Sequence, residues 1–114
     1  MKYFCIDKDR KGTCYHEFYV GKWDEKTFWK EDSILLHDDV LYNLKLDFLF
    51  REVVPAYDEY GETEINKSQW LQIVSKAKEI GGEIQEAISE ADVWVKKVFE
   101  TESVFTILGI KFVW

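Results

Sequence analysis

Between Asn66 and Phe99 the apolar residues recur at helical spacing, and the pair Gly81–Gly82 divides them into two stripes. Trp70, Ile73, Val74, Ala77 and Ile80 form the first stripe, and Ile84, Ala87, Ile88, Ala91, Val95, Val98 and Phe99 form the second. The pattern predicts two helices separated by a glycine stop, since glycine accepts the left-handed conformation that ends a helix. Asn66, with Gln69 three residues on, has the form of a capping box at the first start. Lys96 and Lys97 sit near the second end, where the helix dipole favours cations. Two such stripes are stable only against further apolar surface, so the rest of the chain must supply a cover.

The remaining apolar segments are rich in aromatic and β-branched residues and read as strands. Lys2–Ile6 and Cys14–Val20 flank "DKDRKGT", a turn sequence containing Gly12, and together predict an N-terminal β-hairpin. "TFWK" and "SILL" predict a short third and fourth strand. The closing "SVFTILGIKFVW" is almost continuously apolar or β-branched, which suits a central strand covered on both faces. Between them, "DDVLYNLKLDFLFREVVP" carries both periods. Leu41, Leu44, Phe48 and Leu49 are spaced for a helix, whereas Tyr42, Leu44, Leu46, Phe48 and Phe50 alternate as in a strand. A helix is the better reading, because Asp38 or Asp39 can cap its start and Pro55 ends it, with Val54 pushed out of the α region. The expected fold is α+β: a small, mostly antiparallel sheet, built from the N-terminal hairpin and the C-terminal strand and packed by about three helices. One domain spans residues 1–114.

At 46% hydrophobic and 17% aromatic the chain holds enough apolar material to exclude disorder. Its net charge of −7 argues against nucleic acid or an anionic membrane as a direct ligand and favours a basic partner. The same charge also serves solubility alone. "MKYFCIDKDRKG" lacks the apolar run of a signal peptide, and no segment is apolar over a bilayer's width. A cytoplasmic location is expected, with Cys5 and Cys14 as reduced thiols.

Few residues are spaced for site chemistry. Taken as a calcium loop from Asp58, the acidic segment puts Tyr60 at a ligand position, Gly61 too early and Gln69 where the closing glutamate belongs. Cys5, Cys14, His16 and His37 are four soft ligands without the short pair spacings of structural zinc sites. Cys14 and His16 stand too close on one strand for a Cys–His dyad, and no phosphate-binding or serine-nucleophile motif is present. Acid pairs for glycoside hydrolysis carry no weight, because acids are everywhere. No cofactor and no enzymatic activity are expected.

One acidic segment differs from the rest. In "AYDEYGETEINKSQW" the carboxylates are interleaved with tyrosines around Gly61. Tyrosine brings a large rigid contact area and is enriched in protein interfaces, and carboxylates beside it can meet a basic partner. This predicts a partner-binding segment with Tyr57 and Tyr60 as anchors and Asp58, Glu59, Glu62 and Glu64 as counter-charges. Trp23, Trp29 and Trp114 are further candidate anchors. The plainer alternative is a solvated loop with Tyr57 or Tyr60 folded into the core.

From about Asp38 to Ile110, roughly two thirds of the chain, the sequence resembles immunity proteins of bacterial polymorphic toxin systems, including the contact-dependent growth inhibition type. The resemblance lies in "VVPAYDEYGETEINKSQWLQI", in "GGEIQEAISEADVWV" with its tryptophan-bearing helix, and in "SVFTILGI". It is a pattern of spacing and residue type, and the N-terminal region lies outside it. It implies a non-enzymatic inhibitor that binds one cognate toxin domain, often a basic nuclease, at or beside its active site. The binding surface varies among such pairs, so no interface residue carries over. The alternatives are a small metal-binding or hydrolytic enzyme built on the acids or on Cys14 and His16, and a general acidic mimic of nucleic acid that occupies many basic proteins.

Overall fold

The structure is a computed structural model and describes residues 1–109. In chain order the elements are β1 (Phe4–Cys5), β2 (Tyr15–Val20), β3 (Ile34–His37), α1 (Asp38–Asn43), α2 (Leu46–Val53), β4 (Glu62–Asn66), α3 (Lys67–Ile80), α4 (Gly82–Val98) and β5 (Val104–Leu108). A single 3-10 turn, Asp7–Asp9, follows β1. The strands form one sheet in the order β1-β3-β2-β5-β4, with every neighbouring pair antiparallel. The fold is α+β, as its sequence predicts. No helix among the described residues is long and apolar enough to cross a membrane.

The two stripes become α3 and α4. Asn66 and Gln69 form the predicted capping box, each side chain accepting from the other residue's backbone N–H at 2.8 Å. Gly81 and Gly82 both hold positive φ, 74° and 58°, so the chain reverses in a conformation that a side chain would oppose. The reversal sets the start of α3 beside the end of α4, where the Trp70 indole N–H donates to Asp92 Oδ1 at 2.7 Å. Ile80, placed in the stripe by spacing, is exposed at the helix end.

Alternation in β2 decides what each sheet face meets. Phe18 points to the helices and packs against Phe50 of α2 and Trp94 of α4. Phe105 of β5 lies at the core centre, its ring 5.3–5.9 Å from those of Phe18, Trp70, Trp94 and Phe99. Truncating a buried aromatic so placed costs about 3–5 kcal/mol. Tyr15, Glu17 and Tyr19 point to the opposite face, which the loop between β2 and β3 covers. The buried Glu17 carboxylate holds that loop by accepting from Trp29 N at 2.8 Å, Lys30 N at 3.1 Å and Ser33 Oγ at 2.6 Å.

Four expectations need correction. The N-terminal hairpin does not form: β1 and β2 both pair with β3, which lies between them. The run Ile34–Leu35–Leu36 is buried on both faces and takes an interior position, leaving the two-residue β1 at the edge. "TFWK" is no strand, because Trp29, at φ 60°, turns the chain onto Glu17. The helix expected from Asp38 to Val54 is two helices broken at Lys45, whose φ of 57° is left-handed. The side chain that caps its start is His37, whose Nδ1 accepts from Asp39 N at 3.0 Å. The end is as expected, since Val54, at φ −123° and ψ 88°, lies outside the α region before Pro55. The closing strand is interior, between β2 and β4, and runs over Val104–Leu108; Ser103 and Gly109 flank it outside the strand, and residues 110–114 of the predicted strand lie outside the described residues.

Candidate functional site

The acidic segment is a tight turn followed by an edge strand. Asp58 O accepts from Gly61 N at 3.1 Å, and Asp58 Oδ1 accepts from Tyr60 N at 2.9 Å, which closes residues 58–61 into a turn stabilised by its own first side chain. Asp58 N donates to Thr63 Oγ1 at 3.0 Å. The turn sits directly on the end of β5, where Gly61 O accepts from Gly109 N at 2.8 Å. A Cβ at Gly109 would collide with the Glu59 carbonyl, and one at Gly61 with the Asp58 carboxylate. Gly109 is therefore needed for close approach of the two backbones, whereas a side chain at Gly61 would require the Asp58 carboxylate to move.

From Glu62 the chain is a strand, not the loop expected from its acidity. Thr63 and Ile65 are buried, whereas Glu62, Glu64 and Asn66 are exposed. Acidic residues on the open side of an edge strand blunt its tendency to pair with a like strand.

The six predicted contact residues thus fall into three groups. Tyr57 is a core residue, 5% exposed and edge-on to Phe50 at 5.5 Å, so its role as a surface anchor is corrected: it offers no contact face in this conformation. Its hydroxyl is buried with no hydrogen-bond partner among the described residues. Burial, with Glu59 nearby, pushes its phenol well above the usual range. Asp58, though exposed, and the half-buried Glu59 are engaged within the chain, Asp58 in the turn and Glu59 with Arg51 Nη2 at 3.1 Å, whose guanidinium also lies over the Tyr57 ring. Tyr60, Glu62 and Glu64 face solvent. Tyr60 is 49% exposed, and Glu62 and Glu64 make no hydrogen bond or ion pair among the described residues.

Behind the turn, Tyr42 of α1 is held protonated above its usual range by burial first, then by Tyr60 and Glu59. His16, fully buried on β2, donates from Nε2 to Asp38 Oδ1 at 3.0 Å, while its Nδ1 has no partner among the described residues. Burial lowers its pKa, against the pull of Asp38. The ring presents no atom to solvent and so offers no surface for a substrate.

The four soft ligands do not converge. His16 points to the helices, His37 meets Tyr15 edge-on across the opposite face, Cys5 lies on the β1 edge strand and Cys14 is exposed. Among the described residues no three His, Cys, Asp or Glu side chains cluster as a metal site would. Trp23 and Trp29 are half-buried in the covering loop. The Trp23 indole N–H donates to Thr27 O at 2.8 Å, and the Arg10 guanidinium lies 4.2 Å from the Trp29 ring centre. Trp114 lies outside the described residues.

Spacing did not single out Arg51 and Tyr42, which back the turn. The strand was legible in "ETEIN", where polar and β-branched residues alternate. Comparison with known protein families, with curated proteins and with solved structures finds no match for this chain.

Proposed function

We propose that this chain is a non-catalytic inhibitor of the toxin-immunity kind, which holds a basic partner domain against Tyr60, Glu62 and Glu64 and covers that domain's substrate groove. One observation carries the reading: a half-exposed tyrosine beside two carboxylates that nothing in the described fold neutralises. The net charge of −7 supports it through long-range attraction. So does the resemblance of residues 38–110 to immunity proteins. Asp58, Glu59 and Tyr57 act one step back, by shaping and fixing the turn.

The test is calorimetry against the C-terminal domain encoded immediately upstream of this gene. Nanomolar one-to-one binding that abolishes the domain's activity is the expected result. Tyr60→Ala is expected to weaken it by about tenfold or more, as loss of a central aromatic anchor does. Wild-type affinity in that variant removes Tyr60 from the interface. Equal binding to unrelated basic nucleases instead indicates a general acidic mimic, and a metal retained in protein purified without chelator indicates the enzyme reading.

A further inference from the structure

The open edge of the sheet has a defined hydrogen-bonding phase. In the β4–β5 register Glu62 pairs with Leu108 and Ile65 with Phe105, so Gly61 stands opposite Gly109. That pair is hydrogen-bonded, because Gly109 N donates to Gly61 O. Antiparallel ladders alternate, so Thr63 and Ile65 also bond to β5, while the N–H and C=O of Glu62 and Glu64 point away from it. Asn66 obeys the same phase, since its outward N–H donates to the Gln69 side chain. Glu62, Thr63 and Glu64 together line one open groove with Val54 and Ala56. Three consecutive strand residues can share a groove only along the strand's edge, because their side chains alternate between faces.

The sheet's other edge is closed differently. There the Glu90 carboxylate accepts from the backbone N–H groups of Lys2, Tyr3 and Phe4 at 2.6–2.8 Å. Among the described residues no comparable acceptor or donor meets Glu62 and Glu64. A second copy of this chain is a poor occupant, because pairing β4 with itself sets Glu62 and Glu64 against each other. The same charges favour a cationic strand.

We propose that the outer edge of β4 accepts an extended segment of the partner as an added strand, with lysine or arginine at alternate positions opposite Glu62 and Glu64. The proposal rests on the binding-protein reading for the partner's origin and names how that partner is held. In this register the cationic residues stand in hydrogen-bonded pairs with the two glutamates, with their side chains on the same face.

The probe is a capped seven-residue peptide of alternating lysine and valine. It is titrated to a few millimolar, the affinity range that a handful of hydrogen bonds allows, while backbone amide resonances are followed by NMR. Saturable shifts and slowed exchange at the Glu62 and Glu64 amides are expected. A twin peptide, backbone N-methylated at its lysines, keeps the charge and loses the donors, and its effect is expected to be at least tenfold weaker. No response at these two amides, or an equal response to both peptides, overturns the proposal. Glu64→Pro deletes one outward N–H and no sheet hydrogen bond, and is expected to abolish the response while the circular dichroism spectrum persists. If that variant does not fold, Glu62→Gln with Glu64→Gln leaves the backbone edge intact and is expected to weaken peptide binding several-fold; an unchanged response overturns the charge assignment. If the upstream domain binds while the Glu62 and Glu64 amides still exchange freely, strand addition fails and the inhibitor reading stands. If the peptide responds and the upstream domain does not bind, the inhibitor reading fails instead.

Discussion

Tyr57 and Tyr60 are three residues apart, of one chemical type, and belong to different parts of the molecule. Tyr57 fills the core with a hydroxyl that has no hydrogen-bond partner among the described residues, and Tyr60 stands half in solvent. Tyr57→Phe is therefore expected to leave urea-denaturation stability unchanged or raise it by up to about 1 kcal/mol, because it removes an unsatisfied buried polar atom. A loss of more than about 1 kcal/mol would show that the hydroxyl has a partner. His16 makes a pH prediction. Burial holds its folded pKa below the ordinary 6.5, with Asp38 opposing and with Glu59 and Asp47 also pulling upward. The unfolded chain thus takes up the proton first as pH falls. Stability is full above about pH 6.5 and declines below it, by at most about 1.4 kcal/mol per pH unit for one proton. Denaturation at pH 7.5, 6.5 and 5.5 checks this, and stability that rises towards pH 5.5 contradicts it. No spacing rule marked His16 as buried, since burial follows from which sheet face meets the helices.

At the scale of elements, local chemistry and tertiary packing share control. The capping box and the glycine reversal of α3 and α4 are local events, and both were legible. The break between α1 and α2 was not, because Lys45 has no intrinsic preference for φ 57°. Packing imposes it, so that Leu41 and the pair Leu49 and Phe50 can all reach one core. Lysine in a left-handed conformation costs about 1–2 kcal/mol, part of which glycine would return through its greater freedom when unfolded. Lys45→Gly is accordingly expected to stabilise the protein by up to about 1 kcal/mol, read as a higher urea midpoint at constant slope. A lower midpoint would mean that the lysine side chain makes a contact worth more than the strain. Strand β4 was missed for a different reason. Its alternation was visible, but the density of acids suggested a solvated loop. An edge strand satisfies both, with one side buried and the other charged.

The whole molecule carries the long-range charge. If Glu62 and Glu64 steer a basic partner, the double variant Glu62→Gln, Glu64→Gln should slow association with the upstream domain several-fold at about 20 mM salt. The difference should vanish near 0.5 M, where the screening length falls to a few ångströms. Stopped-flow association rates at the two salt concentrations measure it, and a salt-independent difference would make the effect one of contact rather than steering. By itself the sequence determined what nearest neighbours decide: the helical stripes, their caps, the glycine reversal, the apolar runs and hence the α+β class. Tertiary structure alone decided that β3 separates β1 from β2, that Glu17 holds the covering loop, that Tyr57 turns inward and that Glu62 and Glu64 line an open edge. The reason is physical. Period and propensity act over a few residues, whereas strand order and burial depend on which distant surfaces exclude water together, and no short window of sequence contains that information.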